Sequence, residues 1–533
     1  MKHTKITALL CVMALSGFMP SLAAPASKDT PLDPYRAAAE KMKELEQAQE
    51  NGPAKTESIS QNETPVREVN YTDALLRGLD LTVSDVRASV EAGTFKNLSP
   101  EAPAPEMPEP EYMPEPEMTP GPELEPAEEE MAEEPPVIKK VTVEQGESAN
   151  TIDTDGDYND GIYISGNENE NVLRVPMAYI TAKNVKITKA GNTTQTDSSE
   201  LYGLNAALLA THGGRASLTD ADISSTGIGA SGAYGYAKST YINLTDSKVT
   251  TIGNHAAGVS ISMKAMMKTV NTEVSTSGDF SPAIAVRDGG GIFIAENGTF
   301  STTGLHSHGI YSKGDVTITD SKVIADRTKA AVLKGNNTIT LVNSTLQGNE
   351  ISDMTPHNIV LFSKEDDIGT MGTQYIDAKN STLISKKGDM FYVTATHGKI
   401  HLSETTLVKD DPNAPLITIT GNDGADGWGT PGSNGGHLEL ICDNQTLSGD
   451  IIVDSISNIN LNLRNNSTYT GAIKIVPNAE NGTPYKTNAD VFIAAGSTWN
   501  LTGNAELTSL YNLGKINYNG YTITLADGTV MKE

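Results

Sequence analysis

Four carboxylates crowd the stretch DTDGDYNDG, where Asp153, Asp155 and Asp157 alternate and Asp160 follows three residues later. Hard cations such as Ca2+ collect several carboxylate oxygens, so these four side chains are candidate Ca2+ ligands. The match to a calcium-binding loop is partial. Such loops carry Gly at the sixth position and a bidentate Glu at the twelfth, where this chain has Tyr158 and Ile164. An Asp/Gly turn opening the first strand explains the same residues, and no other metal or cofactor is expected. A second cluster, GNDGADGWGTPGSNGG at 421–436, sets Trp428 near Asp423 and Asp426. An indole has a large apolar face and one polar edge; it can stack on a sugar ring while carboxylates accept from the sugar hydroxyls. Asp423, Asp426 and Trp428 are therefore candidate ligand-binding residues, against the plainer reading of a flexible protrusion.

Other reactive side chains carry less chemistry. His255 and His306 fill one slot of a repeat two turns apart, and Phe280 and Thr328 fill it in neighbouring turns. At a strand spacing of about 4.8 Å the two imidazoles lie roughly 10 Å apart, too far to share an ion. They and His308 are expected as surface decoration. Cys442 alternates with Leu438 and Leu440, so it should face a core as a small hydrophobe. Glycoside hydrolysis needs two carboxyl groups flanking one bond. The Asp-Asp pairs are Asp366-Asp367 and Asp410-Asp411, and the nearest approach to a Gly-His-Gly phrase, Ser307-His308-Gly309, precedes both. The Asn-Thr-Asp and Arg-Ile-Lys phrases of pectin hydrolases are absent. No residue is assigned a catalytic role, and polysaccharide cleavage stays as the alternative function.

The elements that must position these residues come from a repeat. ASLTDADI, INLTDSKV, VTITDSKV and ITLVNSTL share an alternating apolar run, an Asp or Asn, two small residues and another apolar residue. The Asp/Asn slot falls at Asp220, Asp246, Asn271, Asn297, Asp320, Asn343 and Asn380, at spacings of 26, 25, 26, 23, 23 and 37 residues. A fixed period in this range marks a solenoid. Alternation gives strands with one inward face, and Asp or Asn tolerates the left-handed backbone of a sharp turn. A second corner, seen in GNHAAGV at 253–259 and GDFSPAI at 278–284, uses Gly where stacked backbones approach closely. Repeats this short leave no room for a strand-helix-strand unit. The expected fold is all-β, a right-handed parallel β-helix, with roughly fifteen coils over 137–533.

Ahead of the coils the composition changes three times. Lys2 and Lys5 precede an apolar stretch at 6–18 and small residues at Ala24 and Ala26, the pattern of a secretory signal over 1–26. Residues 27–98 are charged and partly helix-compatible. Residues 99–136 hold thirteen Glu and no Lys or Arg among many prolines, so they should form an extended, disordered spacer. No later segment reads as a membrane helix. The net charge of −28 argues against nucleic acid, which needs clustered Lys and Arg.

The end of the chain adds a resemblance. GSTWNLTGNAELTSLYNLGKINYNGYTITLADGTV, at 496–530, resembles the terminal passenger coils of autotransporters of the pertactin type, through Trp499, Leu501, Thr502, Gly503, Leu507, Leu510, Gly514 and Ile516. That resemblance implies a β-helix displayed at the surface of a diderm bacterium, most often as an adhesin. Its partners would be host or bacterial surface glycans or proteins. The family's translocating barrel does not follow here, which leaves three alternatives: a passenger with a separate outer-membrane translocator, a truncated gene product, or a periplasmic protein.

Overall fold

The computed structural model describes residues 144–363, 373–425 and 427–533. The expected leader, charged region and Pro/Glu spacer lie outside these residues. Within them the chain winds as a right-handed parallel β-helix. One turn shows the plan: Val259–Ser262 belongs to a first sheet, Ala265–Val270 to a second and Glu273–Thr276 to a third, and Ile284–Val286 then rejoins the first. In the described residues the first sheet has 13 strands, the second 14 and the third 10. A four-stranded sheet over Thr446–Ser448, Thr468–Thr470, Thr498–Asn500 and Lys515–Asn517 follows the third. Every pairing among these sheets is parallel; the antiparallel pair is Ile523–Leu525 with Val530–Met531 at the C-terminal end.

Register explains the core. Ala216, Ile242, Met267, Phe293, Val316, Ile339, Ile376, Ile400, Leu440, Leu461 and Val491 are successive partners in the second sheet. All are essentially inaccessible to solvent. A parallel column runs through Ile223, Val249, Val274, Phe300, Val323, Leu346 and Leu383 in the third sheet. Each fully buried aliphatic contributes roughly 1.5–3 kcal/mol before ordering entropy is subtracted. Stability therefore accumulates coil by coil. Cys442 lies in this core, fully buried between Leu402 and Leu463, and burial raises its thiol pKa far above the ordinary range.

Both corners obey the residues that make them. All seven Asp/Asn positions have left-handed backbone, with φ between 48° at Asn380 and 54° at Asp220. The buried residue after each turn is often a serine whose hydroxyl passes hydrogen bonds along the stack. Ser344 Oγ accepts from Ser321 N at 3.1 Å and donates to Val342 O at 2.7 Å, and Ser381 Oγ accepts from Ser344 N at 3.1 Å. At the other corner, a Cβ on Gly227, Gly253, Gly278 or Gly304 would stand 1.9–2.0 Å from the carbonyl oxygen of the glycine one coil earlier. Glycine is required there by space alone.

One element departs from the repeat. Thr196–Tyr202 forms a short helix between two coils, closed by Gly203 at φ +76°. It lies over the outer face of the first sheet: Tyr234 donates its hydroxyl to Glu200 O at 2.8 Å, and Ser262 donates to Leu201 O at 2.9 Å. The inserted stretch lacks the alternation of a strand, so its backbone bonds close locally while the coil beneath continues.

Candidate functional site

Further along the first sheet, no helix among the described residues covers the outer face. Tyr311, Val332, Val360 and Tyr392 are register partners there, and Lys334, Phe362 and Thr394 form the next outward row. Val332, Val360 and Phe362 make a small apolar cluster outside the main core, with Tyr311, Tyr392 and Trp428 packed against it. Three irregular loops rise around this cluster. They are residues 349–356 before His357–Phe362, residues 420–436 after Ile417–Ile419, and residues 477–488 after Ile473–Val476. Between them runs a groove of about 570 Å³, lined by Lys329, Asp353, His357, Tyr392, Asp423, Trp428 and Glu480 among others.

Trp428, His357 and Tyr392, which line it, are each stacked on a second ring. The Trp428 indole stacks on Phe362 with centroids 4.2 Å apart, and His357 stacks on Tyr392 at 3.8 Å. The glycine-rich loop is tied down rather than protruding freely. Asn422 and Asn434 donate their amides to Trp428 O at 2.9 and 3.0 Å, and Asn422 also donates to Thr394 Oγ1 at 2.8 Å. Buried Asp454 joins the second and third loops, accepting from Gly421 N at 2.9 Å and from Asn478 Nδ2 at 2.6 Å. Asn422 and Asn434 thus satisfy the Trp428 carbonyl and accept from Gly424 N and Asn422 N in turn, so backbone groups of the loop find partners within it.

Charged groups surround the aromatics. Asp389 is buried, and its two carboxylate oxygens lie 3.0 and 3.1 Å from His357 Nδ1. Burial raises the Asp389 carboxyl pKa while the imidazole opposes that rise. Lys329 bonds to buried Glu350 at 2.9 Å and to Asp353. Burial works against the Glu350 charge, yet Ser352 and Lys329 hold its pKa down at about 2. The Tyr392 phenol is pushed up to about 12, first by burial and then by the negative charges of Asp389, Asp454 and Asp423. A slot with stacked aromatic walls and a carboxylate rim suits a ligand that has apolar ring faces and hydroxyl or amino donors.

Of the ligand residues expected from sequence, Asp423 and Trp428 line the groove, and Asp426 lies outside the described residues. The Asp153–Asp160 cluster does not converge. Asp155 accepts the Tyr179 N–H at 2.7 Å, Asp157 accepts the Thr181 hydroxyl, Asp160 accepts from Asn184 at 2.7 Å, and Asp153 accepts from Thr154 at 3.3 Å. Three of the four thus fasten the first coil to the second. Among the described residues no group of three or more His, Cys, Asp or Glu is arranged to hold a metal ion.

The histidine slot is a stack on the surface of the coils. His255, Phe280 and His306 stack face to face at 5.0 and 4.9 Å, each with left-handed backbone, and His255 Nδ1 lies 2.8 Å from Glu200 Oε1. His308 is half-buried beside Thr328, and desolvation takes its pKa down to about 3. Asp410 pairs with Lys386 at 2.7 Å, and Asp366-Asp367 lies outside the described residues.

Sequence reasoning missed Lys329, His357, Phe362, Asp389 and Tyr392. The available signals were the 37-residue spacing between Asn343 and Asn380, which marks an enlarged coil, and the aromatics concentrated near it in a chain with 5 % aromatic residues. No family model, no curated protein and no solved structure matches this chain.

Proposed function

We propose that this chain is an exported, surface-displayed β-helix of adhesin type that binds glycans in the groove on its first sheet. The observation that carries the reading is a groove rimmed by carboxylates and lined by Trp428, Tyr392 and His357, with Trp428 backed by buried Phe362 and Tyr392 stacked on His357. The secretory pattern at 1–26 and the autotransporter-like wording of 496–530 support display outside the cytoplasm. A regular helix of coils suits a partner presented in many copies, since repeated weak contacts combine into avidity.

Glycan-array binding of the mature chain, beside Trp428→Ala, tests this. The wild-type protein should retain a defined set of oligosaccharides, and the variant should lose most of that signal while keeping its β-sheet circular dichroism. Equal binding by the two proteins would remove the groove from the function.

A second reading, polysaccharide cleavage, rests on the His357–Asp389 pair. A buried carboxylate orienting an imidazole inside a groove is an arrangement that can move a proton. A reducing-end and unsaturated-product assay over a polysaccharide panel separates the two, because a binding protein releases nothing.

A further inference from the structure

The groove's charge narrows its ligand, an inference that rests on the glycan reading above. We propose that the groove selects sugars bearing a free, protonated amino group and rejects uronic-acid polymers. Three carboxylates, Asp353, Asp423 and Glu480, line the groove, and three more stand behind its wall, Glu350, Asp389 and Asp454. Lys329 is the lysine among the described lining residues, and it is already engaged by Glu350 and Asp353. His357 turns Nδ1 toward Asp389. Of these carboxylates, Asp423 lines the groove beside Trp428 and Tyr392, and Asp389 lies behind Tyr392 against His357.

A uronate placed there would set its own carboxylate among like charges with no unengaged cation among the described lining residues. A glucosamine-type ring instead stacks on Trp428 or Tyr392 and directs its ammonium at Asp423 or Glu480, both exposed and able to turn toward it. Like-charge repulsion supplies the rejection and the charge-assisted hydrogen bond supplies the selection.

The test is calorimetric titration of the mature full chain at pH 6 and low salt with four probes: a glucosamine hexamer, its fully N-acetylated form, a galacturonate hexamer and a hexalysine peptide. The glucosamine hexamer should bind at least tenfold tighter than the N-acetylated form, with no heat from galacturonate. Asp423→Asn with Glu480→Gln should erase that margin, and Trp428→Ala should weaken both hexosamine forms. Equal binding of the acetylated form, or binding of galacturonate, overturns the amino-sugar inference and leaves the glycan reading standing. Hexalysine binding as tightly as the glucosamine hexamer, and unaffected by Trp428→Ala, overturns it in favour of a basic peptide. Heat from none of the four removes the inference, and the glycan array then decides whether the wider reading survives.

Discussion

At the scale of single residues, His401 carries a sharp pH signature. Its Nδ1 lies 2.9 Å from Asp377 and its Nε2 2.9 Å from Asp443, which also receives Arg464 at 2.6 Å. Hydrogen bonds first to Asp377 and then to Asp443 hold the imidazole pKa up to about 9, against an ordinary value of 6.5. A folded pKa above the unfolded one stabilises fully below the unfolded value and is lost as pH rises through the folded one. Asp443 works in the opposite sense: burial opposes its charge, but His401 and Arg464 hold its pKa below 3.8, so its contribution fades only in acid. His401→Gln should therefore lower the melting temperature clearly at pH 6.5 and hardly at all at pH 10. Equal losses at both pH values would show that the contact is packing rather than charge. Asp389 sits on the other side of the argument. Its carboxyl pKa is raised by burial, so removing the His357 imidazole leaves a buried acid with the Thr418 hydroxyl but no cationic partner. His357→Ala should cost about 1–3 kcal/mol in urea unfolding, more at neutral pH than at pH 3.

At the scale of elements, the corners decide which substitutions a coil accepts. A methyl on Gly253 or Gly278 would meet backbone of the preceding coil, which cannot move without breaking the ladder. Gly253→Ala should destabilise by roughly 1–3 kcal/mol through overpacking. Gly166 offers the contrast, since a Cβ there meets nothing within 4 Å; Gly166→Ala should change stability by no more than about 0.5 kcal/mol. Paired urea denaturation curves check both. The Asp/Asn corner is gentler, because its constraint is conformational. Asn343 has φ 52° and bonds to Asp320 and Asn380 through its amide, so Asn343→Ala should cost about 1–2 kcal/mol and Asn343→Gly less.

At the scale of the described coils, stability is a sum of neighbour contacts, so damage at one end should stay local. Trp499 is fully buried, stacks on Tyr469 at 5.6 Å and donates Nε1–H to Gly471 O at 3.0 Å. Trp499→Ala removes about 3–5 kcal/mol from that coil. Hydrogen exchange should accelerate across 496–530 while the central strand Asp315–Thr319 keeps its protection. Uniform acceleration along the chain would mean that the coils melt as one unit.

What the chain itself encoded was the coil. Alternation in INLTDSKV, Asp or Asn at a recurring slot and glycine at a recurring corner are local constraints, each satisfied within a few residues or by the identical feature one turn away. The groove was not legible there, because its parts sit at 329, 352–362, 389–392, 421–423, 428 and 480 and meet only across successive coils. Loop length and loop direction carry no period, so spacing cannot say which loops lean over which face. Asparagine amides and one buried aspartate set that lean, and such long-range hydrogen bonds exist only once the coils have stacked.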